Sequence, residues 1–164
     1  MQIFTTAVLM AMTIAPAAMS QDSLPLAERR AIALYQNEIY PNELAAIRQA
    51  AGFEVPVTPQ WERLAVPGQA AKYSDPEFFT AVFFTPLIDA LKGVGSDAMG
   101  QAALKTKLKG IVLTYDPATA PASNYPNGLT FVDGVLTINF TPYSNTADVK
   151  PRADAIQAFL ESKL

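Results

Sequence analysis

Histidine and cysteine are both absent from the chain, and this decides most of what its side chains can do. Without imidazole there is no Ser-His-Asp or Cys-His nucleophile, no His-ligated zinc and no histidine pH switch. Without thiols there is no thiolate metal site, no thiol nucleophile and no disulfide. What remains for catalysis is carboxylate, Tyr, Lys or Arg chemistry. Glu62, Asp75, Glu77, Asp116 and Asp133 are the carboxylates to consider, because two carboxyl groups facing across a cleft can cleave a glycoside. Each also has a structural reading: Asp75 and Glu77 as helix caps, Asp133 as a turn residue, Asp116 as a loop opener, Glu62 in the first turns of a helix. Asp116, Asn124 and Asp133 offer oxygen ligands to a hard cation, yet their spacing fits no calcium loop. No metal and no cofactor is expected. The chain contains no S-x-x-K, G-x-S-x-G, Walker or G-x-G-x-x-G motif, so nucleophilic serine, nucleotide and dinucleotide chemistry have no foothold. The sequon Asn139-Phe140-Thr141 falls inside an expected strand and is set aside.

The uncharged polar residues are the better lead. Between Asp116 and Gly128 runs DPATAPASNYPNG, a stretch without helical or strand periodicity, and loops of more than about 12 residues in a compact domain are often functional. Asn124, Tyr125 and Asn127 at its centre combine an amphipathic ring with amides, a mixture suited to gripping a sugar, a peptide or a protein partner. Trp61, the one tryptophan, stands with Glu62 and Arg63 on a proline-bounded turn. Phe78, Phe79, Phe83 and Phe84 either fill the core or wall an apolar pocket.

Several elements position these residues. Leu129 to Phe140, LTFVDGVLTINF, is two alternating runs joined by Asp133-Gly134, which reads as a hairpin with a two-residue type I′ turn. The turn pairs Val132 with Val135, Phe131 with Leu136, Thr130 with Thr137 and Leu129 with Ile138, so Leu129, Phe131, Leu136, Ile138 and Phe140 share one face. Ile111 to Tyr115 reads as a strand beside it. Upstream, Ser23 is the expected cap of a first helix, which Pro41-Asn42 interrupts; Gly52 ends the second. Thr58 and Pro59 are expected to open a short helix that carries Trp61. Ser74-Asp75-Pro76-Glu77 has capping-box spacing before FFTAVFFTPLIDALKG, where Pro86 kinks or splits the helix and Gly93 ends it. Ser96 is expected to start a helix packing Met99, Ala103, Leu104 and Leu108 together. Thr146 or Asp148 caps a last helix whose Ala153, Ile156, Phe159, Leu160 and Leu164 face the hairpin. The sum is α+β: a mostly helical N-terminal half, a small antiparallel sheet formed by strand 111–115 and hairpin 129–140, and a C-terminal packing helix.

The chain has 164 residues, 50% hydrophobic and 16% charged, which fits one core. MQIFTTAVLMAMTIAPAAMS, residues 1–20, reads as a secretory signal with small residues at its end, leaving residues 21–164 as a single domain. Every charged residue lies after it, so the domain keeps the net charge of −3. That acidity disfavours nucleic acid and anionic lipid surfaces. The expectation is an exported, non-catalytic binding or interaction domain of the bacterial envelope, periplasmic or secreted, with an unknown protein, peptide or apolar ligand as partner, no nucleic acid, and no membrane attachment after signal cleavage. The alternative is a carboxylate-dependent hydrolase acting on envelope polysaccharide, with Glu62 or Glu77 as acid.

Overall fold

Asp133 and Gly134 turn the chain as their residue types require, at φ 52° and 87°, and the hairpin closes in the expected register from Val132–Val135 to Leu129–Ile138. The structure is a computed structural model that describes residues 24–164; the stretch expected to be a secretory signal, and Ser23, the expected cap of the first helix, lie outside the described residues. It is α+β. The strands are β1 (Val57–Pro59), β2 (Gly110–Thr114), β3 (Leu129–Val132) and β4 (Val135–Asn139), and the helices are α1 (Leu26–Leu34), α2 (Tyr40–Ala51), α3 (Trp61–Leu64), α4 (Phe79–Val94), α5 (Ala98–Lys107) and α6 (Val149–Glu161).

The sheet order is β1-β2-β4-β3, and here the all-antiparallel expectation is corrected. Only the hairpin is antiparallel; β2 runs parallel to β4 on one side and to β1 on the other. The cause is the connection after β2. It crosses the end of β4 before entering β3, so β4 returns between β2 and β3. Asn139, the last residue of β4, holds this crossing by accepting from the Asp116 N–H at 2.8 Å and donating to Thr119 Oγ1 at 3.0 Å. The sequon asparagine is thus a structural tie. The fourth strand is the other correction: Thr58-Pro59 lies in β1 rather than in a helix, an edge position where a missing proline N–H is tolerated.

One sheet face is apolar and covered. Ile111, Leu113, Leu129, Leu136, Ile138 and Phe140 are buried, while Thr130 and Val132 on the opposite face are exposed. The covering layer is α4 and α6, which pack on each other along their lengths; Phe83 of α4 stacks 6.3 Å from Phe140. Phe79, Phe83 and Phe84 are wholly buried, so the phenylalanine cluster is core, and Phe78 is half-buried beneath the Lys72 ammonium at 4.6 Å.

Local chemistry departs from the sequence expectation at five points. Pro41 does not interrupt; the chain passes from α1 to α2 through a π turn at Tyr35–Ile39, in which the Tyr40 N–H reaches back to Tyr35 O, and Pro41 then sits in the first turn of α2. Gly52 takes the left-handed conformation that ends α2, as its position predicts. The Ser74–Glu77 capping box does not form: Ser74 Oγ donates to Ala71 O at 3.2 Å and Asp75 Oδ1 accepts from the Glu77 N–H at 2.9 Å, and α4 begins later, at Phe79. Pro86 lies inside an unbroken α4, which runs past Gly93 to Val94. The cap of α5 is Asp97, accepting from the Gly100 N–H at 2.7 Å, and Met99 is 79% exposed rather than packed. Asp148 precedes α6 without capping it, because its carboxylate is taken by Tyr125.

Candidate functional site

Two segments that leave neighbouring parallel strands enclose an apolar-lined cleft with a polar rim. From the end of β1 the chain runs Gln60, then α3; from the end of β2 it runs Tyr115, Asp116 and Pro117. The Gln60 N–H donates to Leu113 O at 2.8 Å, extending the ladder beyond β1, and Thr114 Oγ1 donates to Gln60 Oε1 at 2.7 Å. The two walls are thereby joined at their root. Glu62 and Arg63 stand on one wall, Tyr115, Asp116 and Pro117 on the other, and Ala65, Val66 and Pro67 form the floor of a cleft of about 470 Å³. Parallel strands commonly offer such a crevice beyond their carboxyl ends, because successive connections diverge there, and this volume falls in the range of ligand pockets.

The second wall is rigid. Asp116 Oδ1 accepts from the Ala118 N–H at 3.0 Å and Oδ2 from Thr119 Oγ1 at 3.0 Å, while its own N–H is held by Asn139. Both Asp116 oxygens therefore serve the turn. The side chains of Glu62 and Arg63 and the Tyr115 hydroxyl make no hydrogen bond or ion pair among the described residues, so they are free to meet a ligand.

The four residues singled out from sequence are not brought together. Trp61 is half-buried behind the cleft, its ring 5.3 Å from Tyr40, 5.7 Å from Tyr35 and 6.0 Å from Phe79. Tyr125 lies at the far end of the same run of rings, through Phe79–Phe83 at 5.4 Å, Phe83–Phe140 at 6.3 Å and Phe140–Tyr125 at 5.4 Å. It is only 4% exposed, and its hydroxyl donates to Asp148 Oδ2 at 2.7 Å. Burial and that bond push its pKa above the ordinary tyrosine value. Asn124 and Asn127 are exposed around a 3₁₀ turn at Tyr125–Gly128 and do present their amides to solvent.

Tyr125 is held by Arg152, whose guanidinium lies 4.6 Å from the ring centre. Arg152 is 1% exposed, and it donates through Nη1 to Asn145 O at 2.7 Å and through Nη2 to Ser144 O at 2.8 Å. Burial lowers its pKa, offset by Tyr125 and Asp148 nearby. Asn145 Nδ2 completes the clamp by donating to Ala122 O at 2.7 Å. The long loop is thus an ordered segment pinned to α6.

The conceivable cation site dissolves in the fold. Asp116 stands at the Asn139 end of β4 and Asp133 at its Val135 end, so they cannot share an ion. Among the described residues no group of three or more acidic side chains gathers as a metal site would require, and no helix is long and apolar enough to cross a membrane. Tyr115, Val66 and Pro67 were not singled out as site residues from the sequence; only the parallel pairing of β1 with β2 places them beside Glu62 and Asp116. Comparison with models of protein families, with characterised proteins and with solved structures finds no match to this chain.

Proposed function

We propose that the chain is an exported, non-catalytic binding domain of the bacterial envelope whose ligand enters the cleft between Glu62–Pro67 and Tyr115–Pro117. The observation that carries this reading is a preformed, mostly apolar cleft whose walls are fixed by Gln60, Thr114 and Asn139 while the Glu62 and Arg63 side chains and the Tyr115 hydroxyl have no partner among the described residues. Rigid walls with free polar groups favour binding, because little order is lost when a ligand arrives. Asn124 and Asn127, exposed on the same connection, extend the surface available to a larger partner.

The test is affinity capture of the tagged protein from envelope extract and culture fluid, with mass spectrometry of both proteins and small molecules. A specific partner lost with Val66→Glu and with Tyr115→Ala is the expected result. A partner retained by both variants and lost on replacing Asn124 and Asn127 moves the site onto the loop, and an empty capture removes the binding reading.

A second reading has one observation in its favour. Glu62 and Asp116 line a single opening, as a carboxylate-dependent hydrolase of envelope polysaccharide would need. Asp116 is committed to its turn, which leaves Glu62 as the acid. Release of reducing ends from cell-wall glycan, abolished by Glu62→Gln, would establish this activity in place of simple binding.

A further inference from the structure

The placement of charge inside the cleft selects a ligand class, given the reading of the cleft as a binding site on which this inference rests. Glu62 and Arg63 are consecutive on one helical turn, and consecutive helical side chains diverge rather than pair. Neither finds another partner among the described residues. The cleft therefore carries one guanidinium and two carboxylates, of which Asp116 is answered by its turn hydrogen bonds while Glu62 and Arg63 have no side-chain partner among the described residues, and Val66, Pro67 and Pro117 line the same cleft with apolar surface.

Each simple ligand type leaves something unsatisfied. An apolar molecule covers the floor but strips water from two charges without replacing it, which is costly. A simple anion suits Arg63 and is repelled by Glu62 and Asp116; a simple cation suits Glu62 and meets Arg63. A molecule with an apolar body and both charges satisfies every group.

We propose that the cleft binds a short zwitterionic peptide or amino acid with a large apolar side chain. Its carboxylate pairs with the Arg63 guanidinium, a charge-assisted contact that can be bidentate. Its ammonium pairs with Glu62, its apolar side chain lies on Val66, Pro67 and Pro117, and the Tyr115 hydroxyl donates to a ligand oxygen. The cleft of about 470 Å³ is large enough for a dipeptide.

The experiment is a nuclear magnetic resonance titration of the purified protein with alanyl-phenylalanine in four forms: free, N-acetylated, C-amidated and blocked at both ends. Backbone amide shifts locate the site, and Glu62→Gln and Arg63→Gln, both at solvent-accessible positions, identify the contacts; unchanged thermal melting shows that the variants fold. The expected result is saturable shifts at residues 60–67 and 115–117. Amidation is expected to weaken binding about tenfold in the natural protein and hardly at all in Arg63→Gln, with acetylation behaving likewise toward Glu62→Gln. Cleft shifts of equal strength from the doubly blocked peptide would overturn the zwitterion proposal and leave the binding cleft standing. Shifts confined to another surface would overturn both. No shift from any form would overturn the ligand class, and the capture experiment would then decide the cleft alone.

Discussion

Arg152 shows how one side chain can be indispensable without entering any cleft. Its fork holds the carbonyls of Ser144 and Asn145, and its face covers the Tyr125 ring. Arg152→Ala takes the donors away from the carbonyls of half-buried Ser144 and exposed Asn145, and the expected loss is about 1–3 kcal/mol in urea unfolding, with Arg152→Lys recovering only part because an ammonium cannot span both carbonyls. A loss below about 1 kcal/mol would mean that water replaces the guanidinium freely. The buried tyrosines give a second prediction. Burial raises the pKa of Tyr35, Tyr73, Tyr125 and Tyr143, the last to about 12. Above the ordinary value near 10 the unfolded chain releases these protons while the folded chain retains them. Their contribution is therefore complete below pH 10 and is lost as pH rises through the folded values, at about 1.4 kcal/mol per pH unit for each group. Cooperative alkaline unfolding, with tyrosinate absorbance appearing together with loss of the fold, is the expected outcome. Gradual tyrosinate formation in a protein that stays folded would contradict it.

At the scale of elements, the hairpin was legible from its residues because all its information is local. Asp133-Gly134 sets the turn, and period-two alternation sets the faces. Gly134→Ala tests that statement: a Cβ there would stand 2.7 Å from Lys107 O at a φ of 87°, and a cost of roughly 1–3 kcal/mol is expected, with Asp133→Asn near neutral because Asn tolerates the same backbone. The start of α5 offers a milder test, since Asp97→Ala removes the one side-chain cap on that helix and should cost about 1 kcal/mol. Elements whose form depends on distant partners were not legible. The capping box fails because α4 needs Phe79, not Glu77, in its first turn to reach the aromatic core. β1 exists only because β2 is there to pair with it. Met99 has helical spacing, yet it stands on the exposed side of α5 at 79% exposure.

Across the whole molecule, α+β composition was readable and strand direction was not. A thirteen-residue connection (116–128) permits either a meander or a crossing; the choice lies in Asn139, whose amide binds the passing chain. The candidate site inherits that limit. Glu62, Asp116 and Trp61 stood out as residue types, but only the parallel neighbours β1 and β2 bring the first two to one opening. The sheet's one-sidedness is itself testable. Thr130→Lys on the open face should change stability by no more than about 0.5 kcal/mol, whereas Leu136→Ala, on the strand beside it but facing α4 and α6, should cost about 2–5 kcal/mol. Similar costs at both positions would show that something covers the face exposed in the isolated chain.

The run of rings from Tyr125 to Trp61 also makes the molecule its own optical instrument. Light absorbed by the tyrosines migrates readily over separations as short as those that join Tyr35 and Tyr40 to the single indole, 5.7 Å and 5.3 Å. Emission should therefore come almost wholly from Trp61, whose neighbour in sequence is Glu62 on the cleft wall. A change in the colour of that emission when the cleft fills would report occupancy without any label.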